Sequence, residues 1–300
     1  MIRGTTYAPR QAKWLDLSPE ETFEQILTWD MDILRLGCYW NEIEKEEGIY
    51  EFSEIEDLLN VCEKKNQRVI LSIGMKAARW PEYYLPEWID TSHPDVVEHL
   101  VLAFIKKCII QLKHYSCITH WQVENEPLDP SGPNQWQISE KVLEKEITVV
   151  RSLDSRKIII TLWGNSLSKR GYVPIAQDMA DIIGLDIYYR TPFWKQIYRG
   201  PADSEKSLKH LIKNCTKPVW VTELQAEPWE RSGKDFRSDN PESISPQRMK
   251  NNIEKARVLG AEAILLWGCE YWIYQKRRGN SMYENIAREF FSQSKAQGLP

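Results

Sequence analysis

Residues 118–128 read ITHWQVENEPL. An apolar run gives way abruptly to Asn125 and Glu126, and then to Pro127. Proline lacks an N–H and disfavours a helical residue before it, so the segment reads as a buried strand that stops at Asn-Glu. Both polar side chains then sit at the strand's carboxyl end, where parallel α/β folds place their ligands. Residues 217–223, KPVWVTE, repeat the grammar and deliver Glu223 at a second strand end. Two strands that each present a glutamate point to a two-carboxylate site.

Working outward, strand-like and helix-like runs alternate along the whole chain. Strands are expected at Ile2–Ala8, Asp32–Cys38, Arg68–Gly74, the opening segment, Lys157–Trp163, Ile182–Tyr188, Pro218–Glu223 and Glu262–Gly268. Between them the pattern predicts helices at Pro19–Trp29, Ser53–Asn66, Pro94–His114, Asn134–Leu153, Pro174–Asp181, Asp203–Asn214, Gln247–Leu259 and Met282–Ser294. Ser18 before Pro19 is a good helix cap, and Ser53 with Glu56 reads as a capping box. Glu126 and Glu223 are 97 residues apart, which suits three βα units of roughly thirty residues each. If Glu126 ends strand 4, Glu223 ends strand 7. Eight such units in 300 residues, with no linker or low-complexity tract, predict a single (β/α)₈ TIM barrel domain over residues 1–300, in which strands 4 and 7 face across the mouth.

Composition narrows the function. Hydrophobic residues at 42%, charged residues at 27% and a net charge of −4 without a basic block describe a soluble globular chain with no electrostatic footprint for nucleic acid. No apolar span reaches the length of a membrane helix, and residues 1–10 do not resemble a signal peptide, so no membrane association is expected. Cys38, Cys62, Cys108, Cys117, Cys215 and Cys269 form no C-x-x-C pair and read as free, buried thiols. A cytoplasmic location is the expectation from these features. The five histidines make no H-x-H or H-E-x-x-H pattern, and no glycine-rich phosphate loop occurs; neither a catalytic metal nor a cofactor is expected. His120, early in its strand, reads as a core or bottom-face residue.

Two carboxyl groups facing across a mouth can flank a glycosidic bond, one protonated to release the leaving oxygen and one ionised to act at the anomeric carbon. Retention of configuration needs a separation of about 5–5.5 Å and inversion roughly 6.5–9.5 Å.

The chain resembles the retaining glycoside hydrolases of clan A, in which Asn-Glu ends strand 4 and Glu ends strand 7, as Asn125-Glu126 and Glu223 do here. Arg35 followed by Trp40, Glu44, Gly48, Tyr50 and Phe52 is similar to the region after strand 2 in family 42 and family 35 β-galactosidases, and Arg79-Trp80-Pro81 is similar to family 42. Trp267 matches the strand-8 aromatic platform common in the clan, family 5 included. The family 5 histidines near the ends of strands 3 and 6 are missing; those regions read Ser72-Ile-Gly-Met-Lys76 and Asp186-Ile-Tyr-Tyr189. The resemblance implies Glu126 as acid/base and Glu223 as nucleophile, with Asn125 bound to the sugar 2-hydroxyl. It further implies Arg35 keeping the nucleophile ionised and Tyr188, or Tyr189, donating to it. The expected activity is a retaining β-glycosidase acting on a carbohydrate substrate from the chain end, β-galactoside first, with β-glucoside and β-mannoside open.

Each residue also has an ordinary structural reading. A glutamate before a proline is commonly a loop carboxylate, Arg35 in an apolar strand an ion-pair partner, and Trp267 a core side chain. Trp40, Trp80, Trp88, Trp194, Trp229 and Trp272 follow strand ends or sit in loops, where stacking on sugar faces is more natural than core packing. Glu227 and Glu270 are expected at the surface. Three other activities share parts of the pattern: a barrel that binds carbohydrate without cleaving it, a metal-dependent barrel hydrolase, and a transglycosidase with the same residues.

Overall fold

A computed structural model describes residues 1–166, 171–194 and 197–293. The barrel strands are β1 (Ile2–Thr6), β2 (Ile33–Gly37), β3 (Arg68–Ile73), β4 (Ile118–Val123), β5 (Lys157–Trp163), β6 (Ile182–Ile187), β9 (Val219–Gln225) and β10 (Ala263–Trp267). They close in the order β1-β2-β3-β4-β5-β6-β9-β10 and back to β1. The chain is thus a (β/α)₈ barrel, with Glu126 just beyond the fourth barrel strand and Glu223 near the end of the seventh. Strands β6, β9 and β10 are buried at every position, because a parallel strand covered by helices outside and by side chains inside has no face for water. The chain divides into two compact units, residues 1–34, 163–171 and 184–300 in one, and residues 35–162 and 172–183 in the other.

The helices are α1 (Pro9–Trp14), α2 (Pro19–Ile26), α3 (Trp40–Ile43), α4 (Ser53–Lys65), α5 (Pro94–Leu112), α6 (Glu140–Leu153), α7 (Tyr172–Met179), α8 (Glu205–Asn214), α9 (Pro246–Leu259), α10 (Cys269–Arg277) and α11 (Met282–Ser292). Serine caps start four of them: Ser18, Ser139, Ser204 and Ser245 each accept from the backbone N–H three residues on, satisfying a donor that the first helical turn leaves open. Ser53 does not form the expected capping box; it is the first helical residue of α4, and Phe52 holds the cap position without a side-chain bond.

Other expectations shift for similar reasons. Residues 134–139 are not helical: Ser131 pairs with Trp136 across a turn and Ser139 caps α6, so that helix starts at Glu140. Elements that were not anticipated are the short helices α1 and α3, the antiparallel pair β7 (Thr191–Trp194) and β8 (Ile197–Arg199), and α10, whose cap Gly268 offers no side chain. The expected helix end at Ser294 lies outside the described residues. None of the six cysteines forms a disulfide, and Cys215 is half-buried where the rest are buried. Among the described residues no helix is long and apolar enough to cross a membrane.

His120 sits half-buried in β4, with Nδ1 2.9 Å from the Thr119 hydroxyl. Burial, with Lys157 and Arg68 adding positive charge nearby, pushes its pKa down to about 4. The unfolded chain takes up this proton near pH 6.5 and the folded chain only near 4, so stability falls as pH drops through that window and is unaffected above it. His120→Gln should flatten this part of the urea-midpoint profile between pH 7 and 4. An NMR titration placing the native His120 midpoint near 6.5 would contradict the assignment.

Candidate active site

Glu126 ends a chain of polar contacts that begins on β2. Arg35, buried within β2, donates through Nη1 to Gln122 Oε1 on β4 at 3.2 Å. Strand β3 separates those two strands, so the side chains meet inside the barrel, where alternate strands share a layer. Gln122 Nε2 donates in turn to the Glu124 carbonyl at 2.9 Å and to Asn125 Oδ1 at 3.1 Å. From β5 the Thr161 hydroxyl donates to the same Asn125 oxygen at 3.4 Å and accepts from the Glu126 N–H at 2.8 Å. With its oxygen engaged twice, the Asn125 amide offers its Nδ2 hydrogens as donors.

The backbone at this strand end is strained. Glu124 and Glu126 have φ of 60° and 45°, left-handed values that cost a side-chain-bearing residue about 1–3 kcal/mol each. The sequence leads one to expect an extended residue before Pro127; the structure instead gives Glu126 a left-handed turn. The competing force is visible: Lys76 Nζ donates to the Glu126 carbonyl at 2.7 Å and to the Asp129 carbonyl at 3.1 Å. Lys76 is wholly buried, and its ammonium lies 3.7 Å from Glu82.

Glu124 anchors the segment that carries this lysine. Its carboxylate accepts from the Met75 N–H at 2.8 Å and the Lys76 N–H at 2.6 Å. Such an approach needs Gly74: at φ 126°, a Cβ there would lie 2.1 Å from Glu124 Oε1. Behind it sits the buried carboxyl of Glu146, from α6. Burial, and then the Glu124 charge, hold Glu146 well above the usual carboxylate range; burial also lifts Glu124, against the backbone N–H bonds and Lys76 that favour its charged form. A second charge beside Glu124 in a dry interior is costly, so the neutral form of Glu146 is favoured. The loops after β3 and β4 also line a cavity of about 320 Å³ with Met75, Leu85, Ile138 and the edge-on ring pair Tyr83 and Trp136.

Glu223, on β9, is buried and accepts from the Tyr188 hydroxyl at 2.5 Å. Two bonds to Asn165 fix Tyr188: Asn165 Nδ2 donates to its carbonyl at 2.8 Å, and its N–H donates to Asn165 Oδ1 at 3.1 Å. Trp163 stacks on the Tyr188 ring at 5.4 Å, and Trp229 meets that ring edge-on at 5.0 Å. Trp229 stays 42% exposed, so this cluster presents an aromatic surface close to the carboxylate.

Several residues singled out in the sequence have other surroundings. Trp40 is fully buried, stacks on Phe104 at 5.1 Å and donates to Glu44 at 2.7 Å; it packs the core and does not line a sugar subsite. Trp272 is likewise buried in α10 and donates to the Ala226 carbonyl. Trp88 reaches back to the Glu44 carbonyl at 3.0 Å. Glu227 and Glu270 are buried, not at the surface, and Glu270 accepts from the Ala8 N–H at 2.6 Å. Trp267 is 7% exposed and Trp80 68% exposed; the Trp194 side chain lies outside the described residues. Tyr189 is half-buried, with Lys255 over its ring, and it is Tyr188 that bonds Glu223. Sequence reasoning missed Lys76, Glu124, Glu146 and Trp163. The one available signal was three acids and amides in four positions, Gln122 to Asn125, too many to be loop polarity alone.

Glu126 and Glu223 are thus both buried, one just beyond the fourth barrel strand and one near the end of the seventh. Residues 4–265 match Cellulase (glycosyl hydrolase family 5), and the chain belongs to that family. A stretch of 128 residues is 29% identical to "Beta-galactosidase GanA" of Bacillus subtilis (strain 168), covering 40% of this chain and 16% of that protein. A β-galactosidase from Rahnella sp. R3 superposes with a TM-score of 0.67 at 14% identity, over 99% of this chain and 56% of its own. A GH5_18 variant from Bifidobacterium longum subsp. longum ATCC 55813, in complex with Manβ1-4GlcNAc, gives 0.64 at 12% identity, over 90% of this chain and 69% of its own. These likenesses of structure speak to the fold. The chain spans about half the length of the first structural relative and a sixth of GanA.

The Gly74 contact makes a prediction. Gly74→Ala should lose about 3 kcal/mol or more of unfolding free energy in urea titrations, since the new methyl meets a buried carboxylate in a strained backbone region. Gly260→Ala, at a helix end with open space around it, should lose only about 1 kcal/mol. Equal losses would show that the Glu124 cradle yields freely.

Proposed function

We propose that this chain is a retaining β-glycosidase that works by double displacement, with Glu223 as nucleophile and Glu126 as acid/base. The observation that carries the proposal is the Tyr188 hydroxyl on Glu223 Oε2. A phenolic donor favours the ionised carboxylate and aims its other oxygen. Glu223 attacks the anomeric carbon as the bond to the leaving oxygen breaks, and Glu126 gives that oxygen its proton. Water then attacks the glycosyl-enzyme, Glu126 takes the water's proton, and Glu223 departs with the electron pair of the ester bond.

Around these two, Asn125 offers Nδ2 to the sugar 2-hydroxyl, a bond that strengthens as the anomeric carbon gains charge. Arg35 supplies fixed positive charge in support of the ionised nucleophile. Trp163, Trp229, Trp267 and Trp80 provide aromatic faces for the C–H faces of sugars. The preferred substrate is a small β-galactoside cleaved from its end, in keeping with the early-region resemblance and the β-galactosidase relatives; β-mannoside and β-glucoside follow. Six cysteines without a disulfide among them fit a reducing cytoplasm.

Hydrolysis of aryl β-galactoside, β-glucoside, β-mannoside, β-xyloside and β-fucoside tests the reading. Activity on one sugar should fall at least about 1,000-fold in Glu223→Ala, and azide should restore turnover as the inverted glycosyl azide. Tyr188→Phe should cost roughly 10–100-fold with the fold intact. Undiminished hydrolysis by Glu223→Ala would sink the mechanism. Binding of the sugar without turnover by the unaltered protein would favour a carbohydrate-binding barrel, and a product glycosylated on an added sugar acceptor would favour a transglycosidase.

A further inference from the structure

The strained strand end needs something to hold it, and no part of the chemistry above uses the groups that do. Lys76 spends its ammonium on two backbone carbonyls, those of Glu126 and Asp129, and so clamps the first turn after β4 from within. A lysine fully removed from water is costly unless its charge is met. Here Glu82 lies 3.7 Å away, and the Glu124 carboxylate binds the lysine's own N–H. The lysine cannot drift, because Glu124 takes the N–H groups of Met75 and Lys76 together and Gly74 lets the two segments close on each other.

We infer that Lys76 is a positioning residue for general acid/base catalysis, fixing the left-handed backbone of Glu126 from below, and that Glu124 is the anchor that holds Lys76 in place. Neither touches the substrate. The inference rests on the reading of Glu126 as acid/base. Its consequence is specific: releasing the clamp turns the Glu126 carboxyl away from the leaving oxygen without disturbing Glu223. Steps that need proton transfer slow down, and steps that do not are spared.

The test compares phenyl and 2,4-dinitrophenyl β-galactosides, whose leaving groups respectively need and do not need protonation. Glu126→Ala sets the reference: kcat/KM should fall about 100-fold or more on the phenyl glycoside, stay within about threefold on the dinitrophenyl glycoside, and azide should raise kcat on the latter. Lys76→Met should reproduce the pattern in weaker form, about 10–100-fold against less than about threefold. Thermal melting establishes that each variant is folded; if Lys76→Met is not, Glu124→Gln is judged by the same two-substrate ratio. Should Glu126→Ala behave as described while the clamp variant loses equally on both substrates, or on neither, the positioning role is overturned and the acid/base reading stands. Should Glu126→Ala itself show no dependence on the leaving group, the acid/base reading fails and the clamp's role falls with it.

Discussion

A left-handed backbone at Glu126, one residue before a proline, is the constraint around which this part of the barrel is built. Neither neighbour favours it: a glutamate pays for the crowded Cβ, and the proline pushes its predecessor toward extended conformations. The conformation persists because Thr161 takes the N–H and Lys76 takes the carbonyl, both from inside the fold. Strand β4 therefore stops abruptly, and Glu126 leaves the strand at an angle that an extended chain would not give it. Arg35, Gln122 and Asn125 complete the buried lattice that stiffens the same corner.

Glu223 is positioned by different means. Glu223 lies on a strand buried at all seven positions, so its position is set by ordinary sheet geometry without backbone strain. Specific contacts enter through Tyr188, whose main chain Asn165 holds at both N–H and carbonyl and whose ring is flanked by Trp163 and Trp229. One carboxylate is thus placed by a strained turn and the other by a regular strand with an aromatic brace. This division suits the roles proposed for them, of which one transfers a proton twice and the other meets a single carbon.

Most of the fold was legible in the sequence because a parallel strand buried on both faces is a short continuous apolar run, and eight such runs stood at barrel spacing. Their observed limits differ from the expected ones by about two residues. Legibility failed where tertiary contacts override local pattern. Ser53 looked like a cap, yet α4 already includes it; Asn134 looked helical, yet the helix waits for Ser139. Trp40 illustrates the limit for the site. Its position after a strand end suggested a sugar platform, but its ring fits against Phe104, and its N–H finds Glu44 one turn on. Lys76 was invisible for the opposite reason: a lysine in a loop reads as a solvated side chain unless the carbonyls that converge on it are known.

Glu146, buried on α6 and raised by burial and by the Glu124 charge, links that helix electrostatically to the carboxylate that anchors Lys76. Replacing Glu124 with an apolar residue would strand the N–H groups of Met75 and Lys76, while Glu146 is held neutral by burial and by the charge beside it. Each carboxyl therefore sets part of the other's electrostatic surroundings. A remote helix face thereby bears on the backbone that carries Glu126, through a carboxylate that never reaches the barrel mouth.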